Sequence, residues 1–164
     1  FNKALSIDST NADAHCALAD TYMKDKEYDK AILEYQKASQ LVPDNESVLI
    51  KLGNAYKAKS ETKNALDMYQ KVIFKNLKNT DAMFNAGLCY AELNDNNNAI
   101  KSFKNVIAID PNYAYAYYAL GMAYENEKNY PESIANYKKF MTLTDDNETK
   151  AQVKNQIEYL KNKK

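Results

Sequence analysis

The chain contains no arginine. Its 22 basic residues are all lysine, and they balance 22 acidic residues to a net charge of zero. The guanidinium fork is the usual device for gripping phosphates and carboxylates through paired hydrogen bonds. A neutral chain without it is a poor fit to nucleic acid. Glycine and proline are also scarce, three of each in 164 residues, far too few for a turn-rich all-β fold. No apolar run approaches the roughly 20 residues a membrane-spanning helix needs, and no basic-then-apolar leader opens the sequence. The two cysteines, Cys16 and Cys89, have no metal-ligand spacing. They read as small, partly buried side chains that fit a reducing compartment.

Catalytic constellations are missing as well. There is a lone histidine, His15, with no Cys/His motif by spacing, and there is neither a glycine-rich phosphate loop nor a paired-ligand motif. The expectation is therefore no enzyme, no metal and no cofactor. Acidic residues such as Asp44 with Glu46 and Asp145 with Asp146 fall at the expected helix ends, where they cap backbone donors.

What the chain does have is a period. Gly53, Gly87 and Gly121 are its only glycines and are evenly spaced, and one period earlier stands the small residue Ala19. Tyr22, Tyr56, Tyr90 and Tyr124 keep the same spacing, as do Tyr35, Tyr69, Phe103 and Tyr137, and the small residues Ala31, Ala65, Ala99 and Ser133. Four independent columns in one register predict a repeat protein.

Each period reads as two helices. Tyr117, Leu120, Gly121 and Tyr124 share one helical face, and the polar break Glu127-Lys128-Asn129 follows. A second helix opens around Pro131, whose missing donor is not needed in a first turn, and buries Ser133, Ile134, Tyr137 and Phe140. Val42-Pro43-Asp44 and Asp110-Pro111-Asn112 end two such pairs. A glycine inside a helix costs about 1 kcal/mol relative to alanine. The three glycines must offset that cost by letting the paired helix approach closely. Ten tyrosines (22, 28, 35, 56, 69, 90, 117, 124, 130 and 137) are assigned to packing by these columns, as is His15, which shares the position of Tyr117.

The pattern resembles the tetratricopeptide repeat: a bulky residue, Leu-Gly, Tyr, then Ala, an aromatic, Ala and Pro over about 34 residues. The resemblance implies an all-α, right-handed superhelical solenoid of helix-turn-helix repeats. Residues 1–11 would be the trailing helix of a truncated repeat, as expected of a piece of a longer array. Four repeats would follow at 12–45, 46–79, 80–113 and 114–147, and a C-terminal capping helix at 148–164. Asp145 and Glu148 would form a capping box for that helix, and Val153, Ile157 and Leu160 its apolar stripe. Departures from the pattern include Ala86 for Leu, Leu77 and Asp145 for the closing Pro, and Val72, Val106 and Phe140 for a small Ala. These departures are expected to tune helix angles and to lengthen the trailing helix of the second repeat.

The family resemblance also implies a ligand groove on the inner faces of the leading helices. Its positions here are Asp13, Cys16, Asp20 and Lys24; Ile50, Lys51, Asn54 and Lys57; Phe84, Asn85, Leu88 and Glu92; and Tyr115, Tyr118, Met122 and Asn126. Within this set the expected partner-binding residues are Ile50, Asn54, Phe84, Asn85, Leu88, Tyr115, Tyr118 and Met122. The large apolar ones have no repeat column to explain them, and an exposed apolar stripe marks a binding surface. Tyr113, Tyr115 and Tyr118 would cluster, and the capping helix would add Lys154, Glu158 and Lys161. In chaperone-binding members of the family two Lys, two Asn and an Arg hold a C-terminal carboxylate. Asn54 and Asn85 match the two Asn, but Ile50, Tyr115 and Ala119 replace basic residues, so that clamp is not expected.

The function read from this is a protein–protein interaction scaffold whose concave groove takes a protein or peptide segment with apolar anchors. No nucleic acid and no membrane insertion are expected. The alternatives are a structural spacer or a self-assembly module pairing through its N-terminal end (Phe1 to Ile7), or the regulatory arm of a larger enzyme.

Overall fold

The computed structural model describes residues 11–163. It is all-α over those residues: α1 (Ala12–Lys24), α2 (Tyr28–Leu41), α3 (Glu46–Ala58), α4 (Thr62–Lys75), α5 (Thr80–Glu92), α6 (Asn96–Ile109), α7 (Ala114–Asn126), α8 (Tyr130–Leu143) and α9 (Asn147–Lys161). Apart from Asn11, the expected trailing helix at 1–11 lies outside the described residues. So does the proposed self-assembly surface at Phe1 to Ile7. The chain divides into two compact units, one ending at Ala82 and one beginning at Met83.

Four helical hairpins, α1–α2, α3–α4, α5–α6 and α7–α8, turn in the same way. Lys26, Ser60, Asn94 and Lys128 each adopt a positive φ between 58° and 65°. The amide of each bonds back three residues, and the next amide bonds to the carbonyl of Tyr22, Tyr56, Tyr90 or Tyr124 at 2.8–2.9 Å. This double bond closes the helix C-terminus in a Schellman arrangement, usually built on glycine. Here every glycine is used elsewhere, inside a helix.

The glycine column is explained by ring contact. A Cβ built on Gly53 would lie 2.7 Å from the Tyr69 ring, one on Gly87 2.5 Å from Phe103, and one on Gly121 2.6 Å from Tyr137. The trailing-helix aromatic therefore sits directly on the leading-helix backbone. Tyr35, Tyr69, Phe103 and Tyr137 are all buried. The other seven column tyrosines are half-buried.

Helix starts correct two sequence readings. α3 is capped by Asn45, whose side chain accepts from the Val48 amide, while Asp44 pairs instead with Lys75. α9 is capped by Asp146, which accepts from the amides of Glu148 and Thr149, and Asp145 is exposed. The cap moves by one residue because Asp146 can also take the Thr149 hydroxyl. Asn11, Asn45 and Asn79 each accept an amide three residues on and hold one and the same position of successive repeats.

The expected lengthening of the helix before Leu77 is also corrected. α4 has 14 residues, as have α2, α6 and α8. Asn76 and Asn79 donate to the Glu46 carboxylate, and Asn76 accepts from the Lys78 amide. Side-chain amides thus stop the helix where a proline is absent.

In the N-terminal unit, Ala19, Ala31, Ile32, Tyr35, Leu52 and Ala55 form one core cluster and Leu49, Val72 and Ala82 another. In the C-terminal unit Ala99, Phe103, Ala119, Leu120 and Ala123 form one, and Tyr137, Phe140, Val153, Ile157 and Leu160 form the next. The predicted stripe of α9 is thus the lid on Phe140.

Candidate functional site

The repeat column at Asp20, Asn54, Leu88 and Met122 shows how the groove face is built. Tyr35 donates its hydroxyl to Asp20, and Tyr69 donates to Asn54 Oδ1 at 2.6 Å. In the third hairpin Phe103 has no hydroxyl, and the matching residue is Leu88, packed against the same cluster. In the fourth the pattern breaks. Tyr137 has a hydroxyl but Met122 offers only a weak thioether acceptor, so Tyr137 donates to Glu125 Oε2 at 3.0 Å.

These bonds set the electrostatics. Burial pushes the Asp20 carboxyl up, but hydrogen bonds from Lys51 and Tyr35 outweigh it and hold the group below its ordinary range. The Tyr35 and Tyr137 hydroxyls are pushed well up, first by burial and then by the acidic partner beside each. They remain neutral donors.

The eight expected partner-binding residues fall in both units. Ile50 and Asn54 belong to the N-terminal unit. Ile50 is half-buried against Leu49, Val72 and Ala82, and Asn54, though exposed, is engaged by Tyr69. The other six lie on α5 and α7. Phe84 packs at 5.7 Å from Phe103 and 5.1 Å from Tyr113, centroid to centroid. Tyr118 lies 5.9 Å from Tyr137 and 5.2 Å from Phe140, and Tyr115 is 5.8 Å from Phe140. Asn85 and Leu88 are half-buried. Met122 and Tyr115 are each 47% exposed.

Two expectations change. The large apolar residues are not spare, because Ile50, Phe84, Leu88 and Tyr118 all pack into core clusters. Nor do the three tyrosines form one group: Tyr113 meets Phe84, while Tyr115 and Tyr118 meet Phe140. Tyr115 and Tyr118, three residues apart on α7, share one helical face, whereas Tyr113 precedes the helix and meets α5.

A cavity of about 390 Å³ opens beside Met122 in the C-terminal unit, lined by Tyr118, Met122, Glu125, Asn126, Tyr137, Gln152, Val153 and Gln156. The capping helix contributes Gln152, Val153 and Gln156, not Lys154, Glu158 and Lys161. Glu158 and Lys161 pair with each other at 2.6 Å. Gln156 donates to Glu125 Oε1 at 2.5 Å. Sequence reasoning missed Glu125 and Gln156, but a signal for them existed. A tyrosine at 137 with no polar acceptor at 122 must find one elsewhere.

His15 is buried and lies with Nδ1 2.6 Å from Glu34 Oε2, and Lys37 donates to Glu34 Oε1 at 2.8 Å. Burial raises the Glu34 carboxyl, but the hydrogen bonds from Lys37 and His15 outweigh it and leave the group below the ordinary carboxylate range. A depressed folded pKa gives stability that is present above the unfolded value, about 4.3, and lost as pH falls through the folded one. The melting temperature of the N-terminal unit should fall with acidification below about pH 4.3. Glu34→Gln should flatten that dependence, and an unchanged acid profile in the variant would count against Glu34 as its source.

Among the described residues no group of three or more His, Cys, Asp or Glu is placed to hold a metal ion. No described helix is long and apolar enough to cross a membrane. A comparison with curated protein sequences gave no significant match. Among solved structures the chain is similar to a crystal structure of MamA, at 28% identity and a TM-score of 0.82 over 92% of this chain and 86% of that one. A second MamA structure matches at 23% identity and a TM-score of 0.82, covering 92% and 82% of the two chains. The structure titled as a functional characterization of Pseudomonas aeruginosa pilF matches at 21% identity and a TM-score of 0.79, over 99% and 82%. A family profile described as TPR repeat matches residues 19–60 and 87–128. Two further profiles described as tetratricopeptide repeat match 1–33 and 114–147. With profiles covering most of its length and a trailing-helix aromatic seated on the glycine of three successive repeats, the chain belongs to the tetratricopeptide repeat family.

Proposed function

We propose that this chain is a protein-interaction scaffold that binds a segment of a partner protein on the leading-helix face of its C-terminal unit. Membership of the family supports a binding role over a catalytic one. One observation carries the location. Tyr115 and Met122 are large apolar side chains, each 47% exposed, that stand on the same helix, and Met122 lines the cavity with Tyr118. Half-buried Phe84 and Leu88 on α5 extend apolar character from the same unit. Such a surface suits apolar anchors of an extended or helical segment. Asn85 is a further contact of this face, and Ile50 and Asn54 keep their assignment as partner contacts on α3 of the N-terminal unit, considered by itself.

Because Phe84 and Tyr118 also hold the core, the informative variants are Tyr115→Ala and Met122→Ala. Peptides selected from a random display library on the intact chain should carry apolar anchors. They should bind the double variant at least tenfold more weakly, about 1.4 kcal/mol, with helical circular dichroism and melting preserved. Failure to select any peptide, or equal binding by the double variant, would overturn the assignment.

A further inference from the structure

The first and fourth hairpins contain the same three-part device, with one part changed. In the first, Tyr35 donates to the Asp20 carboxylate, and Lys51, 31 residues on from Asp20, pairs with it at 2.7 Å. In the fourth, Tyr137 donates to the Glu125 carboxylate, and Gln156, again 31 residues on, donates to it at 2.5 Å. The geometry is shared, but the charge is not. Lysine neutralises Asp20; glutamine supplies a hydrogen bond and leaves the charge of Glu125 uncompensated. No lysine forms an ion pair with Glu125 among the described residues. Lys163 is instead seated over the Tyr159 ring.

A half-buried carboxylate without a counter-ion is unfavourable unless something else supplies the cation. Glu125 also faces open space, since it lines the 390 Å³ cavity with Tyr118 and Met122. A carboxylate can accept about four hydrogen bonds, and only two of those sites are taken. The apolar sides of Tyr118 and Met122 suit an aliphatic stem that carries its charge at the tip.

We propose that this cavity receives a basic side chain, lysine or arginine, from the bound partner segment, with Glu125 as its counter-ion. This rests on the groove reading above and adds a charged contact to its apolar anchors. Gln156 positions the carboxylate, and its neutrality keeps the place of the cation open.

The test titrates the intact chain with n-butylguanidinium and n-butylammonium, with n-butanol as the neutral control, following the Met122 methyl and Gln156 side-chain amide by NMR. Both cations should give saturable shifts that weaken as salt is raised, and butanol should give far smaller ones. Glu125→Gln should weaken cation binding at least tenfold. Gln156→Lys, which installs the pairing of the first hairpin, should do the same while circular dichroism stays unchanged; if Glu125→Gln does not fold, Gln156→Lys decides. Equal shifts with butanol, or cation binding untouched by the deciding variant, would overturn the proposal. A polyamine is the competing source of the same chemistry, so tighter binding of spermidine than of the peptide acetyl-Leu-Arg-Leu-amide would overturn the side-chain assignment. Because the butyl probes are not peptides and carry no groove anchors, their failure leaves the peptide-selection result standing, and the converse also holds.

Discussion

Phe140→Ala is expected to destabilise the C-terminal unit by about 3–5 kcal/mol and to free α9 before the rest of the unit unfolds. Phe140 is fully buried and touches two tyrosine rings as well as the cluster containing Val153, Ile157 and Leu160. It shares one repeat column with Ala38, Val72 and Val106, all of them fully buried. The side chain grows where the neighbour is the capping helix instead of another two-helix repeat. Stacked arrays unfold in parts, so the change should be read by amide exchange in α9 alongside denaturant unfolding. Protection of α9 that survives the substitution, with a loss below about 1 kcal/mol, would show that the lid does not depend on this ring.

The second large effect is a reversal of sign. Alanine is the better helix former by about 1 kcal/mol, yet Gly87→Ala should destabilise the protein. Its Cβ would meet the Phe103 ring at 2.5 Å, and overpacking a filled core costs about 1–3 kcal/mol. Phe103→Ala alone should cost about 3–5 kcal/mol. In that background Gly87→Ala should instead stabilise by about 1 kcal/mol, because the ring is gone and the helix preference remains. Denaturant unfolding of all four proteins gives the coupling directly. If Gly87→Ala has the same sign in both backgrounds, the ring is not what requires the glycine.

The four columns gave the helix pairs and most core residues, because the period is carried by bulky and small side chains that the core selects directly. The Schellman turns were not legible, since their left-handed residues are Lys, Ser, Asn and Lys, and no glycine announces them. Nor was the choice of Asp146 over Asp145 as the cap of α9. Asp145 and Asp146 are chemically equivalent, and only the Thr149 hydroxyl separates them. At the site, the leading-helix positions were legible from the register, but their exposure was not. Whether Phe84 faces solvent depends on the Phe103 ring of α6 and the Tyr113 ring just before α7. Glu125 stayed hidden because its role follows from what position 122 lacks. A methionine in that column diverts the tyrosine hydroxyl by three residues, toward the next helical turn.

The left-handed turn residues have a further meaning for handling the protein. One backbone position is occupied by Lys26, Ser60, Asn94 and Lys128 without change in its φ beyond a few degrees, and all four side chains are exposed. The hairpin places no demand on side-chain chemistry there. These are four evenly spaced attachment points, each at the seam of a helix pair and away from the ring-on-glycine contacts. A reporter carried at one of them would register the motion of a single hairpin without touching the core that defines it.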